Sequence, residues 1–327
     1  MSFNNLVLKK VDDLAEWDLF VKNSQDGSIF ATSLYLNASK SKYDLWWVLN
    51  DNLPVAGAYF TVSEHAKDII PDDLLVYTGL FFNMDKTTSN TRLFRRRFLI
   101  TEFIANELPK IYNKIDFSLS PEIVDPRAFQ FYGYGKKINK YKCEPKFTSY
   151  VDIDSSLKDE TNDVYQSNFF LNIESVKRRE IKIATREEYQ VSFSMNIKIF
   201  LNFYKENLLG QGIKISDDYL KRMENLILEL EKAKQAVHIT ISKNDNTPVY
   251  SIVYAWDHKK AYYLFGSGSV KDSTRWQGIV AHWEGINYIA RNTNLKLVDL
   301  EGVNSPKRGR FKMMLGGKIQ PYYNIKL

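Results

Sequence analysis

Apolar residues recur along this chain with two periods, near 3.6 and near 2, and the alternation of the two sets the expected element order. Asp13 and Glu16 resemble a capping box ahead of Trp17, Phe20 and Val21, which share a helical face. Residues 29–36 open a second helix that ends near Lys40. Apolar stretches at 45–49 and 55–62 predict two strands, and 74–80 a third. Thr91 is placed to cap a long helix through Leu108, with Leu93, Phe94, Phe98 and Ile104 near one face. A strand at 115–119 follows, and Pro121 and Pro126 break what comes next.

The second half predicts a strand at 148–153, a mostly helical stretch at 159–184 and a strand at 188–193. Ile197, Phe200, Leu201, Tyr204 and Leu208 define an amphipathic helix over 195–208, which Gly210 and Gly212 end. Ser216 caps the next helix, lined by Leu220, Met223, Leu226, Ile227 and Leu230. Strands follow at 236–242, 248–256 and 260–265, then a helix opened by Arg275-Trp276-Gln277-Gly278, then a short strand at 297–300.

One pattern occurs twice. Asn50-Asp51-Asn52-Leu53-Pro54-Val55 and Asn244-Asp245-Asn246-Thr247-Pro248-Val249 share the form Asn-Asp-Asn-x-Pro-Val. Each sits between two predicted strands that follow two predicted helices, and the composition is that of a hairpin turn. The chain therefore reads as two copies of one α/β unit, 1–150 and 151–327, joined by a basic, Tyr-rich connector at 133–146. Helices, an antiparallel meander, a helix and a final strand are, by analogy, the layout of an acyltransferase-type unit.

Composition narrows the partners. The 327 residues are 44% hydrophobic and 26% charged, which suits ordinary globular cores, and 14% aromatic, with 20 Tyr and 20 Phe. A net charge of +6 favours an anionic partner: nucleic acid, a nucleotide-linked substrate or a membrane surface. Apolar runs such as 76–82 are too short to span a bilayer, and the first residues lack a secretory pattern. Cys143 is the sole cysteine, which excludes a disulfide and a Cys-based metal site. The expectation is a cytoplasmic protein, with contact at the inner face of the cell membrane allowed.

Candidate chemistry concentrates near the C-terminus. Residues 302–327 hold six Lys or Arg and no acid, punctuated by Gly302, Gly309, Gly316 and Gly317. A basic, glycine-punctuated loop after a carboxylate-bearing strand suits an anionic substrate, and a solvated basic hairpin fits equally. Asp299 and Glu301 fall on one side of the last strand, where either is a candidate base for an attacking amine or a partner for Lys307, Arg308 or Arg310. Gly266, Ser267, Arg275 and Gly278 surround a helix start that favours a phosphate or oxyanion, although Val280 departs from the acetyltransferase pyrophosphate loop. The four histidines lack ligand spacing, so no metal is expected. Arg92, Arg95, Arg96 and Arg97 crowd a helix start against its dipole, which suits either a nearby anion or a solvated basic face.

Tyr262-Tyr263-Leu264-Phe265-Gly266-Ser267, Trp276 opening a helix, Asp299-Leu300-Glu301-Gly302, and Phe311-Lys312 before Gly316-Gly317 together resemble the FemABX family of non-ribosomal peptidyltransferases. The segment 32–40 ending in Lys40, and Lys177-Arg178-Arg179, extend the resemblance. It implies two tandem GNAT-like (acyl-CoA N-acyltransferase) domains, each a mixed, largely antiparallel sheet flanked by helices. It also implies transfer of an aminoacyl or acyl group to an amine of a cell-envelope precursor, a peptidoglycan peptide or a surface-polysaccharide amino sugar. Lys312 would stabilise charge at the reacting carbonyl with Phe311 beside it. Lys40, Arg179, Tyr219 and Arg310 would bind the nucleotide- or lipid-linked acceptor. Ile183 stands where the family has an acceptor tyrosine. No cofactor is tightly held; the donor would be aminoacyl-tRNA or acyl-CoA. Two other readings stay open: an acyl-CoA-dependent N-acyltransferase of a nucleotide-linked amino sugar, and a non-enzymatic module for anionic glycan or RNA.

Overall fold

The computed structural model describes residues 5–83, 89–153, 155–158, 163–193 and 197–327. Its contacts divide the chain into unit 1, Met1–Phe147 with Pro321–Leu327, and unit 2, Thr148–Gln320. Unit 1 runs β1 (Leu6–Lys10), α1 (Leu14–Asn23), α2 (Ser33–Ala38), β2 (Tyr43–Asn50), β3 (Leu53–Thr61), β4 (Asp68–Ile69), β5 (Gly79–Phe82), α3 (Asn90–Ile111), β6 (Lys114–Ser118) and α4 (Arg127–Gln130). After β7 (Lys142–Asp152), unit 2 runs α5 (Asn168–Asn172), α6 (Ser175–Arg186), β8 (Gln190–Ser192), α7 (Ile197–Gly210), α8 (Asp217–Lys232), β9 (Ala236–Ser242), β10 (Pro248–Trp256) and β11 (Ala261–Gly268). It continues with α9 (Gln277–Asn292), β12 (Leu297–Asp299) and α10 (Pro306–Met313), and β13 (Lys318–Lys326) ends the chain.

The repeat read from the hairpins extends through both units. In unit 1, β1, β2, β3 and β5 form an antiparallel sheet. In unit 2, β8, β9, β10 and β11 pair in the same antiparallel order. Each set is followed by a long helix, α3 or α9, and one more strand, β6 or β12. The last strand in each unit takes an antiparallel neighbour, β13 for β6 through Asn324↔Ser118 and β7 for β12 through Asp299↔Tyr150. Beyond those registers the backbones match again: Leu119 N–H donates to the Tyr323 carbonyl, and Leu300 N–H to the Ser149 carbonyl, both at 2.9 Å.

The repeated hexapeptide explains both hairpins. At β2–β3, Asp51 and Asn52 take left-handed φ of 50° and 64°, the two-residue turn that matches strand twist. At β9–β10 only Asn246 is left-handed, φ 65°, and Lys243 N–H donates to the Thr247 carbonyl at 2.9 Å, so the loop is longer. Both hairpins then skip one residue: the register passes from Ala56 to Pro54 and from Pro248 to Tyr250. Val55 and Val249 are the bulged residues, each next to a proline that has no N–H to give the ladder.

Several sequence expectations are corrected. The strand expected at 74–80 is confined to Gly79–Phe82, because Leu75 N–H turns back to the Asp72 carbonyl at 2.9 Å. The long helix starts at Asn90, so Thr91 lies inside its first turn. The stretch expected to be helical breaks into α5 and α6, and its start at residues 159–162 lies outside the described residues, as does Met195. The basic stretch after the last strand is not a hairpin: Pro306–Met313 is helical, with Pro306 in the first turn where its missing N–H is harmless.

The core of unit 2 packs β9, β10 and α9. β9 and β10 are buried along most of their length, so their sequence lacks strand alternation. α9 is buried through Ile279, Val280, Ala281, His282, Trp283, Ile286, Ile289 and Ala290. Gly285 lets it approach Tyr254, whose ring would lie 2.3 Å from a Cβ there.

Candidate active site

β11 and β12 pair in parallel only at Ala261↔Val298 and Tyr262↔Asp299. β11 runs on to Gly268, whereas β12 ends at Asp299 and Glu301 turns the chain with a left-handed φ of 56°. The two strands part there and leave a wedge in unit 2. A bulge between Val253 and Tyr254 on β10 bends the sheet beside it.

α10 fills the wedge. Gly309 lets the helix press on the loop before it: a Cβ at that position would lie 2.1 Å from the Val303 carbonyl oxygen. Phe311 then covers the first turn of α9, 3.3 Å from where a Gly278 Cβ would stand, and lies 5.6 Å from the His282 ring. Lys312 Nζ donates to the Gly302 carbonyl at 3.1 Å and stands 4.8 Å from the centre of the Tyr263 ring. Burial pushes the Lys312 ammonium below its usual range, against the pull of the Glu301 and Asp299 charges.

The two carboxylates of the last strand have different surroundings. Asp299 is fully buried and accepts from Thr148 Oγ1 at 2.6 Å and from Glu301 N–H at 2.8 Å. Lys260 Nζ, bonded to Tyr150 Oη at 2.7 Å, is 4.0 Å from Asp299. Asp299 thus belongs to a paired network. Glu301, 6% exposed, has an Oε1 with no hydrogen-bond partner among the described residues. Burial raises its carboxyl well above the usual range; Lys312 opposes that rise and Asp299 adds to it.

Aromatic hydroxyls and one histidine complete the wedge. Tyr254 Oη and His282 Nδ1 are 2.6 Å apart, and the His282 ring is 4.6 Å from that of Tyr263. Burial, with Lys312 nearby, pushes His282 down to about 3, so the imidazole is neutral. The hydroxyls of Tyr250 and Tyr263 are hydrogen-bonded, and burial lifts Tyr250 to about 12. Gly266 leaves room for them, since a Cβ there would meet Tyr263 Oη at 2.7 Å and Tyr250 Oη at 3.0 Å.

The other site residues expected from the sequence lie on several elements. Ser267 Oγ accepts from Asn207 of α7 at 3.0 Å, a bond that fixes the end of β11. Arg275 is exposed, and Gly278 lies under Phe311 rather than open to a pyrophosphate. Gln277 Oε1 takes the Thr274 N–H at 2.9 Å, which uses one main-chain donor of that loop. Arg310 is exposed and borders an open groove of ≈ 770 Å³ with Glu174, Val303, Pro306 and Met313. Arg179 is exposed on α6, while Lys177 of the same helix stands 5.6 Å from the Phe311 ring and pairs with Glu180 at 2.7 Å. Tyr219 is in the first turn of α8, where its N–H meets the Ser216 cap. Lys40 belongs to unit 1, exposed and left-handed (φ 54°) after α2.

Sequence reasoning missed Tyr250, Tyr254, Tyr263, Lys177 and the part played by His282. Strand alternation sets Tyr263 on the face opposite Tyr262, and that signal could have found it. No group of three or more His, Cys, Asp or Glu that could hold a metal occurs among the described residues. None of the described helices is long and apolar enough to cross a membrane.

Two antiparallel meanders, each followed by a helix and a strand, with the second splayed open around α10, define a tandem GNAT fold of the FemABX-like kind. The structure of FemX matches over 96% of this chain and 96% of its own, with a TM-score of 0.63 and 14% identity. A tandem GNAT protein from the clavulanic acid biosynthesis pathway matches over 98% of each chain, with a TM-score of 0.55 and 10% identity. L-PGS from Bacillus licheniformis matches over 96% of this chain and 91% of its own, with a TM-score of 0.53 and 11% identity. No protein-family model and no curated protein matches the chain by sequence.

Proposed function

We propose that the chain is an aminoacyl- or acyltransferase that joins an acyl group to an amine, with its chemistry in the wedge of unit 2. The observation that carries this reading is Lys312, a half-buried cation set against Tyr263 and the Gly302 carbonyl, beside the Glu301 carboxyl. A fixed cation in a site of low dielectric favours an oxyanion as it forms and needs no covalent enzyme intermediate. Phe311 closes one wall and excludes water. The acceptor is an amine of an anionic cell-envelope precursor, nucleotide- or lipid-linked. The exposed cations Arg179, Lys307, Arg308 and Arg310 suit its phosphates. Asp299 is a strut of this site rather than its base.

An aminoacyl donor, supplied by tRNA, fits this wedge better than acyl-CoA. Phe311 occupies the approach to Gly278, and Gln277 uses a loop N–H that a pyrophosphate would need. The test is turnover of Lys312→Ala with a competent donor. We expect a loss of about 10²–10³-fold, the scale of removing one oxyanion donor. Undiminished turnover in a folded variant overturns the assignment. Calorimetric binding of acetyl-CoA by the wild-type protein would favour the acyl-CoA donor instead.

A further inference from the structure

Glu301 carries two features that ordinary structural residues do not combine. It holds a left-handed φ of 56° without being Gly, Asn or Asp, and it buries a carboxyl oxygen that has no partner among the described residues. A buried carboxylate without a hydrogen bond is costly, and the neutral acid is the cheaper form. The conformation also has a geometric result. It follows the end of β12 and leaves the Glu301 side chain buried within the reach of Lys312, Tyr263 and Asp299. Its neighbour Gly302 offers the carbonyl that holds Lys312 Nζ at 3.1 Å. Asp299, two residues earlier, accepts at one oxygen, Oδ1, from both Thr148 Oγ1 and the Glu301 N–H.

We propose that Glu301 is a catalytic acid of this site, delivering the proton that the departing atom of the acyl donor requires. This rests on the acyl-transfer reading above. The acceptor nitrogen bonds to the donor carbonyl carbon while Lys312 faces the carbonyl oxygen. The bond from that carbon to the leaving oxygen then breaks, its electron pair passes to the oxygen, and the Glu301 proton follows. The amide nitrogen gives up a proton to the Glu301 carboxylate, which restores the acid. No other reactant is consumed. The groups that face Glu301 and Lys312 are Asp299 of β12, Tyr263 of β11, His282 of α9 and Arg308 of α10. Tyr263, whose hydroxyl burial raises well above its usual range, and the neutral His282 are weaker proton donors than a carboxylic acid.

The role makes a differential prediction. A thiol ionises near about pH 8.5 and leaves without help. An alcohol is a far weaker acid than a thiol and does not. Glu301→Gln should therefore slow release of the amino acid from a mixed pool of aminoacyl-tRNA by about 10²-fold or more, the scale of general acid catalysis. Cleavage of acetyl-CoA, where it occurs, should change less than threefold (~) on the same argument. A second measurement needs no donor. Protein labelled with ¹³C at the Glu carboxyl should show a protonated carboxyl signal at pH 7 that is lost in Glu301→Gln and in Glu301→Asp. Unchanged ester turnover in Glu301→Gln, or no protonated signal in the wild type, overturns the acid role and leaves the acyl-transfer reading standing. If the wild type consumes neither ester nor thioester, that reading falls and this one with it.

Discussion

The two units place different chemistry at equivalent positions. After its last strand unit 1 reads Ser118-Leu119-Ser120, and unit 2 reads Asp299-Leu300-Glu301. Leu119 and Leu300 make the same backbone bond and are both fully buried. Around them unit 1 has hydroxyls and unit 2 has carboxyls. The next helix then supplies an aromatic in each case. Phe129 of α4 is fully buried, 5.8 Å from Phe117 and 5.2 Å from Tyr141. Phe311 of α10 is half-buried over the first turn of α9. The cations differ most. Arg127 of α4 turns outward to a surface pair with Asp125 at 2.8 Å, whereas Lys312 of α10 turns inward. One topology thus closes on neutral side chains in unit 1 and encloses ionisable ones in unit 2. A core gains nothing from an unpaired carboxyl, so the second arrangement points to use rather than stability.

The largest effect should come from the two aromatics. Phe129→Ala should cost about 3–5 kcal/mol of stability, the range for a fully buried phenylalanine, with turnover per folded molecule unchanged. Phe311→Ala should cost about 1 kcal/mol, since the ring is half-exposed, yet lower turnover strongly. Thermal or denaturant melts with rates measured on both variants check the pair. A turnover loss in Phe129→Ala with no change in Phe311→Ala would place the chemistry in the wrong unit.

The next effect is a pH dependence confined to the wedge. His282 ionises near 6.5 when unfolded and at about 3 when folded. Below pH 6.5 the unfolded chain takes up a proton that the folded one refuses, so stability falls as pH falls. The slope approaches about 1.4 kcal/mol per pH unit between 6.5 and about 3. Glu301 acts with the opposite sign: its raised folded value means the folded state holds a proton that the unfolded state has released, so stability rises as pH falls towards its unfolded value. His282→Gln should flatten the acid limb of the stability curve, and Glu301→Gln should steepen it. Denaturant melts across pH 3–8 (~) read both. Equal acid limbs in wild type and His282→Gln would mean that the imidazole is charged in the folded protein.

What the sequence could reveal followed physical locality. The hexapeptide repeat located both hairpins because a turn depends on its own residues and the proline fixes a bulge on the spot. β1 was missed because Leu6–Lys10 is five residues, exposed in part and too short to show a period. α10 reads as a loop in the sequence because Gly309 looks like a breaker, while in the fold it allows contact with the Val303 carbonyl. Lys312 was legible as a cation near the end of a unit. That it turns inward depends on the parting of β11 and β12, which no local pattern carries. On α6 the nominated residue was Arg179, while Lys177 meets Phe311. Two residues along a helix are about 200° of rotation, so a small error in phase exchanges a contact for an exposed face.

The smallest effect isolates what holds Lys312 in place. Its ammonium is 4.8 Å from the Tyr263 ring centre and 3.1 Å from the Gly302 carbonyl oxygen. The carbonyl bond survives any substitution at 263, so side-chain variants there test the ring alone. Tyr263→Phe keeps the π face and removes the hydroxyl bonded to Tyr250; Tyr263→Leu removes both. A cation over an aromatic face gains about 0.5–2 kcal/mol, more when water is excluded. Tyr263→Leu should therefore lower the Lys312 ionisation further, since burial remains and one stabiliser of the charge is gone. Tyr263→Phe should leave it close to wild type. Amine-selective acylation followed across pH, with mass-spectrometric readout at Lys312, measures this directly. Reactivity at neutral pH should rise in Tyr263→Leu and not in Tyr263→Phe. Equal profiles in all three proteins would assign the placement of the cation to Glu301 and the Gly302 carbonyl. The difference between the two units would then rest on the Ser120 and Glu301 positions alone.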